Sequence, residues 1–267
     1  MSIKQPSSPF SLEGRVAIVT GGSRGIGLGV ARSFLEAGGT VVLAARDAGQ
    51  LDQAAAALGP HDGRLSAMSA DIGCERACGE LVDRVMSAHG RIDILVNGAG
   101  KYVGKSFLDY SRDEIDDMLR INLHGPLTLM QLTLPIMKAR GWGRIINIAS
   151  TAGKWASRNQ SVYNVSKHGL VGLTRCVGLE TAGTGVTVNA ICPGLVRTEM
   201  VDKLIDDQMA ATGLPAERIE SGLLARVPIG RLLESDECGH LALYLASEKA
   251  GGMTGQSLLL DGGMLFV

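Results

Sequence analysis

Val16-Ala-Ile-Val-Thr20-Gly-Gly-Ser-Arg-Gly25-Ile-Gly27 joins a short β-branched apolar run to a glycine turn, and the turn to a helical pattern of Val30, Ala31, Phe34 and Leu35. The apolar run reads as a buried strand, and the three- and four-residue spacing after it as a helix packed on that strand. Strand, glycine turn and helix in this order bring free backbone N–H groups and a positive helix end to one point, where an α/β protein can hold a pyrophosphate. Gly21, Gly25 and Gly27 let the backbone approach a ligand, with Ser23, Arg24 and Ile26 carried between them. The spacing Thr-Gly-x-x-x-Gly-x-Gly is not the better-known Gly-x-Gly-x-x-Gly, so on this stretch alone a plain packing turn stays open.

Outward from the turn, strand and helix patterns keep alternating. Thr40-Val-Val-Leu-Ala-Ala45 reads as a second strand ending at Arg46-Asp47, about twenty residues beyond the turn, where a dinucleotide fold reads the adenosine ribose. Arg46 there suits a 2′-phosphate, while Asp47 also fits the N-cap of the next helix. A third strand over residues 65–70 ends at Asp71-Ile72, and a fourth runs from Ile92 into Asn97-Gly-Ala-Gly100, a second tight turn that would present Asn97, Ala99 and Gly100 at the same edge. Residues 111–137 are mainly helical, yet Asn122, Gly125, Pro126 and Pro135 are poor mid-helix residues, so a break is expected beside Asn122. It either aims that amide at a cleft or marks a surface kink. A sixth strand over 186–191 closes on Cys192-Pro193-Gly194, with Val196 and Thr198 following. Residues 198–226 read as an irregular helical lid whose Met200, Leu204, Met209 and Leu223 suit an apolar substrate or simple packing on the body. A last helix and a strand over 257–261 complete the series. The expected fold is a single α/β domain over 12–267, a Rossmann-like doubly wound sheet of about seven parallel strands, behind a flexible arm at 1–11.

The chemistry concentrates in residues 150–167. Ser150 ends the apolar run Arg144-Ile-Ile-Asn-Ile-Ala and so sits at the carboxyl end of a buried strand, which in an open sheet faces the cleft. Tyr163 and Lys167 follow on one helix face. A cation within about 4–6 Å favours the phenolate, so Lys167 is expected to bring the Tyr163 pKa down towards neutrality. An exposed helix pair would show the same spacing.

Bulk properties exclude several classes. A formal net charge of -1 and no Lys/Arg run offer nucleic acid or anionic lipid no basic field. Five cysteines without a Cys-x-x-Cys pair or histidines at zinc spacing read as reduced thiols, so no metal site is expected. No apolar leader and no long uncharged apolar run occurs, and a cytoplasmic protein is the expectation.

Together, the glycine turn, Asn97-Gly-Ala-Gly100, Asn122, Ser150, Tyr163-x-x-x-Lys167, Pro193-Gly194 and Asp261-Gly-Gly263 resemble the short-chain dehydrogenase/reductase family from about Leu12 to Gly263. The resemblance implies Tyr163 as proton donor, Lys167 lowering its pKa and holding the nicotinamide ribose, Ser150 polarising the carbonyl and Asn122 supporting a water-linked proton path. It implies further that Asp71 lies near the adenine, and the segment from Pro193 through Gly194 and Val196 to Thr198 around the nicotinamide. Gly98 departs from the family pattern, which usually carries asparagine there. The runs Ile148-Ala-Ser-Thr-Ala-Gly-Lys154, Ser166-Lys-His-Gly169 and Ala225-Arg-Val-Pro-Ile-Gly-Arg231 are similar to 3-oxoacyl and polyketide ketoreductases. An acyl-carrier protein stays open as a partner, because Thr184-Gly185 stands where carrier-dependent reductases often have a basic residue. The implied activity is reduction of a ketone by NADP(H) in preference to NAD(H), Arg24 and Arg46 together holding the 2′-phosphate, in a homotetramer. Oxidation of an alcohol or polyol, and cofactor binding without catalysis, are the rival readings.

Overall fold

In the computed structural model, which describes residues 9–267, each of those apolar runs is a strand, and residues 1–8 of the expected arm lie outside the described range. The strands are β1 (Val16–Thr20), β2 (Thr40–Ala45), β3 (Leu65–Ser69), β4 (Ile94–Asn97), β5 (Gly143–Ile148), β6 (Val186–Pro193) and β7 (Ser257–Leu260). They pair in parallel in the order β3-β2-β1-β4-β5-β6-β7. The order reverses between β1 and β4, so the crevice for a ligand opens above the carboxyl ends of those two strands.

The helices are α1 (Gly25–Glu36), α2 (Ala48–Leu58), α3 (Glu75–His89), α4 (Arg112–Leu119), α5 (Gly125–Ala139), α6 (Ser161–Glu180), α7 (Glu199–Thr212), α8 (Ala216–Leu224) and α9 (Ser235–Ala246). Strand alternation sorts them onto two faces. Ala17 and Val19 of β1 pack with Phe34 and Leu35 of α1, Leu51 of α2 and Leu245 of α9. Val16 and Ile18 point the other way, onto Leu81 and Val85 of α3 and Leu129 and Met130 of α5. Burying a side chain the size of Phe34 or Ile18 contributes about 1.5–3 kcal/mol, and both are fully buried, so these two layers hold the sheet edge in place. Leu12 is buried and its N–H donates to Ala37 O at 2.8 Å, while Phe10 meets the Tyr244 ring edge-on at 6.2 Å.

The break expected beside Asn122 is a π-helical turn, Arg120–His124, between α4 and α5. Pro126 accounts for it: a helix would ask residue 126 for an N–H to the carbonyl of Asn122, and proline has none. Pro135 lies within α5 at an exposed position. The expected irregular lid is two helices, α7 and α8, parted by Gly213 in the left-handed region at φ +70° and by Pro215. Among the described residues no helix is long and apolar enough to cross a membrane, no acid, histidine and cysteine group is placed to hold a metal, and the five cysteines are free.

Candidate active site

A cleft of about 990 Å³ opens where the strand order reverses, with the glycine turn as its floor. A Cβ on Gly27 would stand 2.2 Å from Gly21 O and one on Gly21 2.8 Å from Ala99 Cα, so only glycine closes this turn. Gly21 and Gly25 have φ of +66° and +52°, the left-handed region that favours glycine. Helix α1 starts here without a side-chain cap, which leaves its first-turn N–H groups to a ligand. Ser23, Arg24 and Ile26 line the cleft beside the glycines, and Ala99 and Gly100 form its opposite wall. This cradle, too narrow for a Cβ and open at a helix N-terminus, fits the pyrophosphate of a dinucleotide.

The second glycine turn is built around Gly98. Its N–H and that of Ala99 donate to Thr20 Oγ1 at 3.1 and 3.3 Å, and a Cβ at residue 98 would lie 2.7 Å from Thr20 O. The glycine that replaces the family's asparagine is thus matched to a turn drawn tight against β1. Asn97 lies beneath the cleft, buried, its amide donating to Asn147 Oδ1 at 2.8 Å, and Asn147 donates onward to Thr174 Oγ1 at 2.9 Å.

Along the cleft the two arginines differ. Arg46 is exposed, lines the cleft and has no ion pair among the described residues. Arg24 is paired with Glu199, the first residue of α7. Asp47 is the N-cap of α2, its Oδ1 accepting from Gln50 N at 3.0 Å. Asp71 lines the cleft with Ile72; its carboxylate accepts from Gly73 N and from Arg120 Nη1, both at 3.0 Å. Arg120 also pairs with Asp117, and Asp117 with Lys101. Hydrogen bonds from Lys101 and Arg120 hold the Asp117 carboxyl below the usual carboxylate range.

Asn122 is fully buried, which excludes the surface kink. Its Oδ1 accepts from Lys101 N at 2.7 Å, and its amide donates to Lys101 O at 2.9 Å and to Ser166 Oγ at 3.0 Å. Ser166 Oγ in turn donates to Tyr163 O at 2.7 Å. The π turn therefore ties the loop after β4 to the helix that carries Tyr163. Ser150 caps a short 3₁₀ turn, Thr151–Gly153, its Oγ accepting from Ala152 N at 3.0 Å.

Lys167 departs from expectation. Its Nζ donates to Ile148 O at 2.8 Å and lies 5.7 Å from the centre of the Tyr163 ring. Burial lowers the Lys167 pKa to about 8. Burial also pushes the Tyr163 phenol up to about 12, with the Ser150 hydroxyl acting weakly in the other direction. The expected lowering of Tyr163 towards neutrality is corrected accordingly: desolvation of the phenolate outweighs a cation committed to a strand carbonyl.

A smaller cavity of about 100 Å³ lies beside the cleft and has Ser150 and Tyr163 in its wall. Tyr102 and Met200 line both spaces and separate them. The Tyr102 ring stands edge-on to Tyr163 with centroids 5.3 Å apart, and the Tyr163 hydroxyl reaches towards Met200 Sδ at 4.0 Å. Pro193 ends β6, buried, and Gly194 continues into the cavity wall. Val196 bridges to Leu233, and Thr198, the N-cap of α7, packs against Gly25 at the cleft, where a Cβ on Gly25 would stand 3.1 Å from the threonine methyl. Tyr102, Trp155, Gln160, Arg226 and Met264 also belong to this wall and carried no sequence signal of it. They come from four separate segments, Trp155 and Gln160 sharing the loop before α6, and none belongs to a periodic pattern.

Comparison with known proteins places this geometry. A family model described as enoyl-(acyl carrier protein) reductase matches residues 21–265. A D-beta-hydroxybutyrate dehydrogenase of Cupriavidus necator is 38% identical over 94% of this chain and 98% of its own length. A candidate ketoacyl reductase of the monensin polyketide synthase of Streptomyces virginiae is also 38% identical, over 94% and 97%. A crystal structure of a candidate short-chain alcohol dehydrogenase from Sinorhizobium meliloti 1021 superposes with a TM-score of 0.89 at 32% identity, covering 96% of this chain and 98% of that one.

Proposed function

This chain belongs to the short-chain dehydrogenase/reductase family, and we propose that it is an NADPH-dependent reductase of ketones in the 3-oxoacyl class. At the coarser level it is an oxidoreductase acting on hydroxyl and keto groups. The observation that carries the finer reading is the presence of Ser150 and Tyr163 in the wall of one cavity, with Lys167 buried behind them.

Gly21, Gly25 and Gly27 would hold the pyrophosphate, Arg46 the 2′-phosphate and Lys167 the nicotinamide ribose. A bound nicotinamide dinucleotide supplies the hydride. The chain's own residues handle the oxygen. Because burial pushes it up to about 12, the Tyr163 phenol keeps its proton at neutral pH and is a donor waiting for an alkoxide. Ser150 Oγ accepts from Ala152 N and its hydroxyl acts on the Tyr163 phenol, so its proton would turn from the phenol oxygen to the carbonyl oxygen and stabilise the charge that develops there. Lys167 uses one N–H on Ile148 O and keeps two. With its pKa at about 8 it is mostly charged at pH 7 and stabilises the phenolate that proton donation leaves. Asn122 holds Lys101 and Ser166 in place through its side chain, and its backbone carbonyl, to which Pro126 offers no N–H, is the acceptor through which a water-linked path to Lys167 would run.

Arg46, unpaired at the ribose end, and Ala45 before it, with no charge to repel a phosphate, support the preference for NADPH. Leu127, Leu132 and Leu134 of α5 stay only half-buried within one chain, which supports association with further copies of it, in our reading a homotetramer. An acyl-carrier protein remains a partner to be tested. The test is turnover of 3-oxoacyl thioesters and esters, cyclic ketones, quinones and keto-sugars with NADPH and NADH, alongside light scattering at micromolar concentration. Reduction of 3-oxo compounds with NADPH is expected. Faster oxidation of 3-hydroxy acids or polyols with NAD⁺ would favour the dehydrogenase reading instead.

A further inference from the structure

Of the residues lining the cavity at Ser150 and Tyr163, Arg226 is the one with a formal charge. It follows the C-terminus of α8, is exposed, and lays its guanidinium over the Trp155 ring at 4.8 Å from the centroid. Among the described residues no carboxylate pairs with it. Asp207, the acid on α7 whose charge reaches Tyr102, is spent on Lys203 Nζ at 3.0 Å and Gly104 N at 3.2 Å. Beside Ser150 and Tyr163, the wall carries the neutral polar side chains of Ser157, Gln160 and Gln208 among apolar ones such as Leu195, Val201, Leu204 and Leu223. A guanidinium stacked on an aromatic ring keeps its N–H fork free in the plane, the arrangement that receives a carboxylate or a phosphate. The space is also small, about 100 Å³ against the roughly 300–1,000 Å³ of sites for drug-sized ligands. A short ketone fills it, and whatever extends from that ketone must leave past the lining residues.

We propose that Arg226 selects ketones carrying an anionic group, a carboxylate or a phosphate, at the end remote from the reacting carbonyl. This rests on the assignment of Ser150 and Tyr163 as the reducing end and deepens it by naming the substrate class. Trp155 is the positioning residue that holds the guanidinium. The carboxylate of a free 3-oxo acid and the phosphate of a phosphopantetheine thioester are two sources of the same chemistry.

The experiment compares substrates that differ only in charge, with saturating NADPH at fixed ionic strength: a 3-oxo acid against its ethyl ester, and a 3-oxobutanoyl thioester of phosphopantetheine against that of pantetheine. Wild type is expected to favour one charged member. Arg226→Gln is expected to raise KM for that member by about ten-fold or more, with kcat near wild type and the neutral partner unaffected, and Arg226→Lys to recover part of the loss. Discrimination confined to the acid pair identifies a free keto acid, and discrimination confined to the thioester pair identifies the phosphopantetheine arm. If wild type turns over charged and neutral members alike, or if Arg226→Gln slows both equally, the selection by Arg226 is wrong while the reductase assignment stands. If neither member of either pair is reduced, both fall.

Discussion

The large cleft above β1, β2 and β4 has a floor of tightly packed glycine backbone, whereas the small cavity at Ser150 is walled by side chains drawn from loops and from α6 and α7. Gly21, Gly27 and Gly98 shape that floor by having no Cβ at contacts of 2.2–2.8 Å, so its form follows from strand and turn geometry. The cavity depends instead on Tyr102, Trp155, Met200 and Arg226, each placed by a different segment. On the proposed function the cleft takes the cofactor and the cavity takes the substrate. Substitutions in the two regions should therefore separate cofactor binding from substrate handling.

The largest expected effect is at the wall of the cavity. Tyr163→Phe deletes the proton donor and keeps the ring that packs on Tyr102, so kcat should fall by about 10²–10⁴-fold while the NADPH dissociation constant, read by fluorescence titration, stays near wild type. A variant within a few-fold of wild type would remove Tyr163 from the mechanism.

Lys167 lies between the two regions and should show in stability. Its folded pKa of about 8 is below the ordinary 10.5, so from pH 8 to 10.5 the unfolded chain binds the proton that the folded one has released, and stability rises with pH across that window. The contribution is complete above about 10.5 and is lost as pH falls through about 8. Lys167→Met removes the titration. The stability of the variant minus that of wild type should therefore shrink by on the order of 3 kcal/mol between pH 8 and 10.5, measured by urea unfolding. A difference that stays flat with pH would mean that burial does not depress Lys167.

In the cleft, Arg46→Ala should weaken NADPH by about 10–100-fold and leave NADH nearly unchanged, and adding Ala45→Asp should reverse the preference. Equal weakening of both cofactors would show that Arg46 does not read the phosphate. The smallest effect concerns Arg24, which Glu199 of the lid already engages. Exposed pairs contribute up to about 1 kcal/mol, so Glu199→Gln should free Arg24 and tighten NADPH by at most about five-fold, with no change for NADH. Loss of affinity for both would instead make the pair a structural tie between the lid and the glycine turn.

The same division explains what could be read before the structure. Local features were legible: the strand runs, the glycine turn, Asp47 as a helix cap, and a break at Asn122 that Gly125 and Pro126 announce. Each depends on residues within a few positions of one another. The π form of that break and the full burial of Asn122 were not legible, because they depend on packing from the loop after β4 and from α6. That Tyr163 and Lys167 share one helix face follows from their spacing, but spacing does not carry burial. The direction of the phenol's shift was therefore missed, and so was the claim of Ile148 O on the ammonium. Arg24 looked free for the same reason: its partner lies 175 residues away. Tyr102, Trp155 and Arg226 meet only in three dimensions, and no local pattern marks them.

The most direct measurement follows cofactor and product together: wild-type protein with excess NADPH and a 3-oxo ester, nicotinamide absorbance read against the 3-hydroxy product resolved by chiral chromatography. The account predicts one NADPH consumed per molecule of product, in a single enantiomer, with the rate lost in Tyr163→Phe. Tight NADPH binding with no consumption in the presence of any ketone of the panel would contradict it and leave a protein that holds the cofactor without using it.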